Sequence, residues 1–257
     1  MPRVIKCDDT RPFSVAECSD ALMHNGFDPR SGGSLQHAAQ CLRRPGNDRG
    51  FIGDTMLEEL KNRHSDTSDS QYGARALMLT EPKNGFFLRA NIWPSAQDHV
   101  LQSSGAHNFS YHAPHDHNFD FLTLGYFGPG YSSDYWEYDH DAAAGYRGET
   151  AGLRFVERAT LDPGKLMLYR AHLDVHSQLP PASISVSLNI MSIDPEQGWR
   201  DQFAFDSENA RIKLASFHAR SLLEDDPAIR DNIWAEAENS GSRLVAEEAK
   251  LFRAELV

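Results

Sequence analysis

Cysteine is scarce in this 257-residue chain: Cys7, Cys18 and Cys41 are the whole set, and no C-x-x-C pair occurs. An odd, sparse set does not build a disulfide framework, and without paired spacing it argues against a cysteine zinc site. Positive charge is also in deficit, with Lys+Arg 25 against Asp+Glu 37 and a formal net charge of −12. A phosphate backbone or an anionic bilayer surface needs clustered cations, so neither nucleic acid nor membrane is expected as a partner. No apolar run is long enough to span a bilayer. The opening MPRVIKCDDTRPF lacks the apolar core of a secretory signal. A reducing, cytoplasmic location is the expectation. Internal repeats and low-complexity segments are absent too.

What is present is ordinary globular composition, 40% hydrophobic and 24% charged, long enough for one well-buried domain. Residues 1–70 read as a polar, mainly helical segment. Ser14-Val15-Ala16-Glu17 is a capping-box pattern, and Ile52, Met56, Leu57 and Leu60 recur at helical spacing. Residues 71–206 change character. Apolar and β-branched segments at 75–79, 85–93, 119–127, 135–138, 153–159, 166–169 and 184–192 are separated by Pro- and Gly-containing turns. Short strands at close spacing with no helices between them predict an antiparallel sandwich or barrel. Residues 207–257 return to helical spacing at Val245, Ala249, Phe252 and Leu256. This extension would pack on the β domain or on a second copy of the chain, as in a homodimer.

Histidine is unevenly spread. Five of the 12 lie between His99 and His117, and His172 and His176 follow a later strand. In His115-Asp116-His117 the outer residues are two apart, so in extended backbone both imidazoles project from one face. Two neutral imidazoles plus a third from another strand suit a first-row divalent metal. His176 is the natural third, with His172 as the competitor.

The order of these features resembles the cupin jelly roll, and more narrowly the thiol dioxygenases of the cysteine dioxygenase type. The matching text is Gln71-Tyr72-Gly73-Ala74-Arg75, then Gly85-Phe86-Phe87-Leu88 and a strand ending at Trp93. His115-Asp116-His117, His176-Ser177 and Ser185-Val186-Ser187-Leu188-Asn189-Ile190 follow. The resemblance implies a cupin β-barrel with helical additions at both ends. It also implies Fe(II) held by His115, His117 and His176, with a small thiol or amino-acid-like substrate and O2 as reactants. An arginine–tyrosine pair grips the substrate carboxylate in that family. Arg75 with Tyr72 resembles it, with one extra residue between them, and Arg89 in mid-strand is the alternative clamp.

This sequence departs from the family at several places. Phe121 or Leu122 stands where the first cupin motif carries glutamate, and Phe121 where cysteine-oxidising members often carry cysteine. Asn189 and Met191 stand on the closing strand where His and Tyr would be. An insert, 94–114, precedes the His pair as a lid or pocket wall. Glu137, in the aromatic segment Tyr135-Trp136-Glu137-Tyr138, is a candidate to touch metal or substrate, and His172 a candidate to orient a ligand. Asp116 and Asp120 point away from the pair in a regular strand.

Three other functions compete. A 2-oxoglutarate oxygenase needs H-x-D/E and a downstream Arg; no H-x-D surrounds His115 and His117, and no Arg follows His176 until Arg200. A cupin isomerase or hydrolase would use another divalent metal as Lewis acid. A non-catalytic cupin would bind a ligand with its histidines merely packed.

Overall fold

Strands β3 (Phe86–Trp93) and β9 (Ser185–Ser192) pair antiparallel along their full length, Phe86 opposite Ser192 and Trp93 opposite Ser185. They belong to a six-stranded antiparallel sheet in a computed structural model that describes residues 1–54, 76–194, 200–206, 211–214 and positions 235, 238 and 250. The other members are β1 (Arg3–Ile5), β2 (Ala76–Met78), β4 (Phe121–Phe127) and β7 (Leu166–Tyr169), in the order β1-β7-β4-β9-β3-β2. Strands β5 (Ser132–Glu137), β6 (Arg154–Thr160) and β8 (Asp174–Gln178) make a second sheet, β6-β5-β8. Beyond it lies a ribbon of β10 (Ala204–Phe205) and β11 (Ile212–Leu214). The molecule is therefore mainly β with antiparallel sheets. Among the described residues the ladders form separate sheets, as a sandwich or barrel of antiparallel strands requires; the barrel closure that the resemblance implies is not shown by them.

Both faces of the six-stranded sheet are buried, which is why β4 reads as a near-continuous apolar run, whereas β9 alternates and buries Ser187 and Asn189 on the face opposite Leu188 and Ile190. One face carries Phe86, Leu88, Ala90, Leu122, Leu124, Leu166, Leu168, Leu188 and Ile190, covered by helices α1 (Val15–Asn25) and α2 (Gly32–Arg43). Successive strand residues alternate sides. The other face therefore presents Phe87, Trp93, Phe121, Met167, Tyr169 and Met191, which pack with Tyr135 of the second sheet and with Tyr131 just before its strand β5. A third cluster, Tyr138, Val175, Phe203, Phe205 and Ile212, closes the far side of that second sheet.

The capping box expected at Ser14 is present. Ser14 Oγ accepts from the Glu17 amide at 3.2 Å, and Glu17 Oε2 accepts from the Ser14 amide at 2.8 Å. The Ser14 amide, and with it the Ser14 hydroxyl donating to Oε2 at 2.9 Å, hold the Glu17 carboxyl below its usual range. Ser14→Ala is expected to cost about 1 kcal/mol, read as a lower urea midpoint at unchanged slope. Of the cysteines, Cys18 and Cys41 are buried free thiols between helices and sheet, and burial pushes both thiol pKa values up, Cys41 to about 11. The Asp162-Pro163-Gly164 turn is closed by Lys165 N donating to Asp162 O at 3.0 Å, with Gly164 at φ 85°, a value a β-carbon disfavours.

Strand β1 was not expected in a polar, helical N-terminal segment. It pairs with β7, Val4 opposite Met167, and its three residues are too few to show a period. Residues 55–70 and the helical spacing expected at Val245–Leu256 lie outside the described residues. No described helix is long and apolar enough to cross a membrane.

Candidate metal centre

His115-Asp116-His117 runs extended between β8 and β10. The amide of His115 donates to His176 O at 3.0 Å and the amide of His176 to His115 O at 2.9 Å. On its other side Asp116 N donates to Phe203 O at 3.1 Å and Phe205 N to Pro114 O at 2.8 Å. Paired on both edges, the segment keeps the period of two, so His115 and His117 share a face and Asp116 takes the opposite one. The facing strand β8 places His176 directly across from His115.

The three rings converge. His117 Nε2 lies 3.0 Å from His176 Nε2, which lies 3.2 Å from His115 Nε2. All three side chains are buried, and their ligand atoms lie within 4.8 Å of one another. Nitrogens about 2.1 Å from a shared ion and at right angles stand about 3 Å apart, so this spacing fits one divalent metal. His115 Nδ1 lies 2.7 Å from Ala113 O. That contact makes Nδ1 the N–H and leaves the lone pair on Nε2, the tautomer a ligand needs.

Aromatic rings wall the site. Phe119 and Phe121 stand 4.7 and 5.1 Å from the His117 ring, and Tyr169 stands 4.8 Å from His176. The Tyr135 and Tyr169 hydroxyls are 2.7 Å apart and tie the two sheets together. Burial raises both phenols, Tyr135 to about 12, so each keeps its proton in neutral water. The insert 94–114 adds Leu101, Phe109 and Tyr111 to the same aromatic cluster, consistent with a pocket wall.

One row further along the strands the lining turns polar. Arg89, Asn189 and Thr123 are register neighbours on the face that carries Phe121, and Asn91 follows Arg89 on β3. On the opposing sheet Gln178 follows His176, its Nε2 3.3 Å from His176 Nε2. Thr123 Oγ1, Asn91 Oδ1 and Gln178 Oε1 are buried with no hydrogen-bond partner among the described residues. Orphaned buried acceptors are uncommon and mark places where a ligand or water completes the bonding.

No protein-family model matches the chain, and no curated protein matches it. Among solved structures it is similar to a proposed mannose-6-phosphate isomerase from Ralstonia eutropha JMP134, at 16% identity and TM-score 0.24, covering 49% of this chain and 94% of that one. It is also similar to a cupin-like protein from Thermotoga maritima msb8, at 10% identity and TM-score 0.26, covering 51% of this chain and 85% of that one.

The structure thus brings together His115, His117 and His176 and leaves two other candidates, His172 and Glu137, apart from them. His172 stands on the far side of the segment with Asp116 and His140. Glu137 is engaged by the Met1 ammonium, by Arg154 at 3.0 Å and by Arg170 at 3.3 Å. The ammonium contact does most to hold its carboxyl below the usual range. Arg89 is in the polar row. Tyr72 and Arg75 lie outside the described residues. Asp116 accepts from Tyr138 Oη and from Phe203 N, each at 2.6 Å, and burial raises its pKa to about 7. Sequence reasoning missed Gln178, whose place two residues after His176 on a strand was the available signal. It also missed Thr123, Asn91 and His140, which single-strand periodicity does not connect to the site.

Proposed function

We propose that the chain is a cupin-type mononuclear non-haem Fe(II) oxygenase acting on a small thiol or amino-acid-like substrate. The observation that carries this reading is the meeting of three buried Nε2 atoms at 3.0 and 3.2 Å. Three neutral imidazoles leave a bound ion its full 2+ charge, so an anionic group such as a thiolate or carboxylate is favoured beside it. Ferrous iron bound there would supply redox chemistry toward O2 and open positions for both reactants.

The chain's own residues would do the rest. Ala113 O fixes the His115 tautomer. Phe119 and Phe121 keep water from the His117 side. The protonated Tyr135 and Tyr169 hydroxyls offer hydrogen bonds near His176. Arg89, with Asn189, Thr123 and Asn91, would hold the polar head of the substrate; a guanidinium can bind a carboxylate through two parallel hydrogen bonds and so fix its orientation.

The test is anaerobic reconstitution with Fe(II), then measurement of oxygen uptake on adding cysteine, other small thiols and amino acids. Uptake that needs both iron and one of these compounds is the expected result. Stoichiometric iron with no uptake across the set would sink the oxygenase reading. Imidazoles suit several metals, so the competing reading is a Lewis-acid isomerase or hydrolase, whose turnover would be indifferent to oxygen.

A further inference from the structure

The carboxylate of Asp116 is fully buried, yet among the described residues no lysine or arginine pairs with it. Its only ion-pair neighbour there is an imidazole, His172, with Nδ1 3.9 Å from Oδ2. Burying a carboxylate without a compensating cation is costly. Tyr138 and Phe203 each donate one hydrogen bond to it, which leaves two of about four acceptor positions unused.

Those positions belong to a second cluster. The ligand atoms of Asp116, His140 and His172 lie within 4.8 Å of one another, and the two imidazole rings are 4.4 Å apart. His140 is stacked on Phe203 at 4.9 Å and 15°, and its Nε2 lies 2.7 Å from Asp201 O. That bond makes Nε2 the N–H and puts the lone pair on Nδ1. His172 is held at φ 58°, with its amide donating to His117 O at 2.8 Å. A separation of 3.9 Å is too long for a hydrogen bond between His172 and Asp116. It falls within the range of about 3 to 4 Å expected for two ligands sharing one ion.

We propose that Asp116, His140 and His172 form a second divalent-metal site, back to back with the first across the His115–His117 segment. Two imidazoles and a carboxylate suit a first-row ion such as Zn(II), Mn(II), Fe(II) or Co(II). The ion supplies the positive charge that the buried carboxylate lacks. It also ties together the segment carrying two of the first three ligands, the turn at His172 and, through the His140–Asp201 bond, the stretch 200–205. This inference stands independently of the proposed reaction, because its residues are separate from the triad.

The experiment counts Co(II) per chain. Chelator-treated protein is dialysed to equilibrium against low-micromolar Co(II), comparing wild type, the double variant His140→Ala/His172→Ala and the double variant His117→Ala/His176→Ala. The expected result is loss of one ion from wild type to H140A/H172A, and a separate loss on H117A/H176A. An equal count in wild type and H140A/H172A overturns the second site, whatever the triad does. His140→Gln guards against a folding defect, because this ring is only half-buried. With circular dichroism and thermal midpoint unchanged, it is expected to weaken the second ion at least tenfold; undiminished affinity in that folded variant overturns the proposal too.

Discussion

His176→Ala is expected to lower iron affinity by about 100-fold or more while the protein stays folded. Removing a group that merely orients a metal ligand costs 10–100-fold, and His176 supplies a nitrogen 3.0 Å from that of His117 and 3.2 Å from that of His115. The ring is buried against Tyr169 and Gln178, so its loss also leaves a cavity costing about 2 kcal/mol. Iron per chain after gel filtration and a urea unfolding curve measure the two effects separately. His172→Ala is the comparison: it removes a ligand of the second cluster only, so one iron per chain should remain in the triad. Unchanged iron in H176A would show that three converging imidazoles do not make the site.

Gly125→Ala is expected to cost about 3 kcal/mol, the upper end for an overpacked interior. A β-carbon there would overlap Asp162 O, and would come 2.7 Å from Asp162 C and 2.9 Å from Leu161 O. All three are backbone atoms of the turn before β7, which cannot swing aside as a side-chain tip can. The turn is clasped from both sides, Gly125 N donating to Lys165 O at 3.0 Å and Gly164 N to Gly125 O at 2.7 Å. Gly125 also sits where the β4–β9 register shifts. Equilibrium urea unfolding reads the cost. A change under about 0.5 kcal/mol, the ordinary surface value, would mean that the turn moves freely.

Much of the β domain was legible because period-two runs and Pro-Gly turns are local signals. Leu166–Tyr169 was expected at its observed bounds, and Phe86–Trp93 and Ser185–Ser192 to within one residue. The His115/His117 pair was legible for the same reason. Strand β8 was not singled out, because Asp-Val-His-Ser-Gln puts four polar residues in a fully buried strand. They are accommodated there by partners that composition does not disclose: Arg170 for Asp174 at 2.7 Å, the imidazole triad for His176. Glu137 illustrates the reverse. An acid in an aromatic segment invites a role at the metal, but its ion-pair partners come from residues 1, 154 and 170, and long-range partners leave no periodic trace.

The reciprocal backbone bonds between His115 and His176 span 61 positions of chain. Joining such distant stretches must first overcome the entropy of loop closure, and topologies dominated by non-local pairing fold slowly. The triad can therefore be complete only after β8 has docked beside the His115–His117 segment, so added iron can act on the last stage of refolding and not on the first. In stopped-flow refolding, a chelator should leave the early phases untouched and alter only the final one.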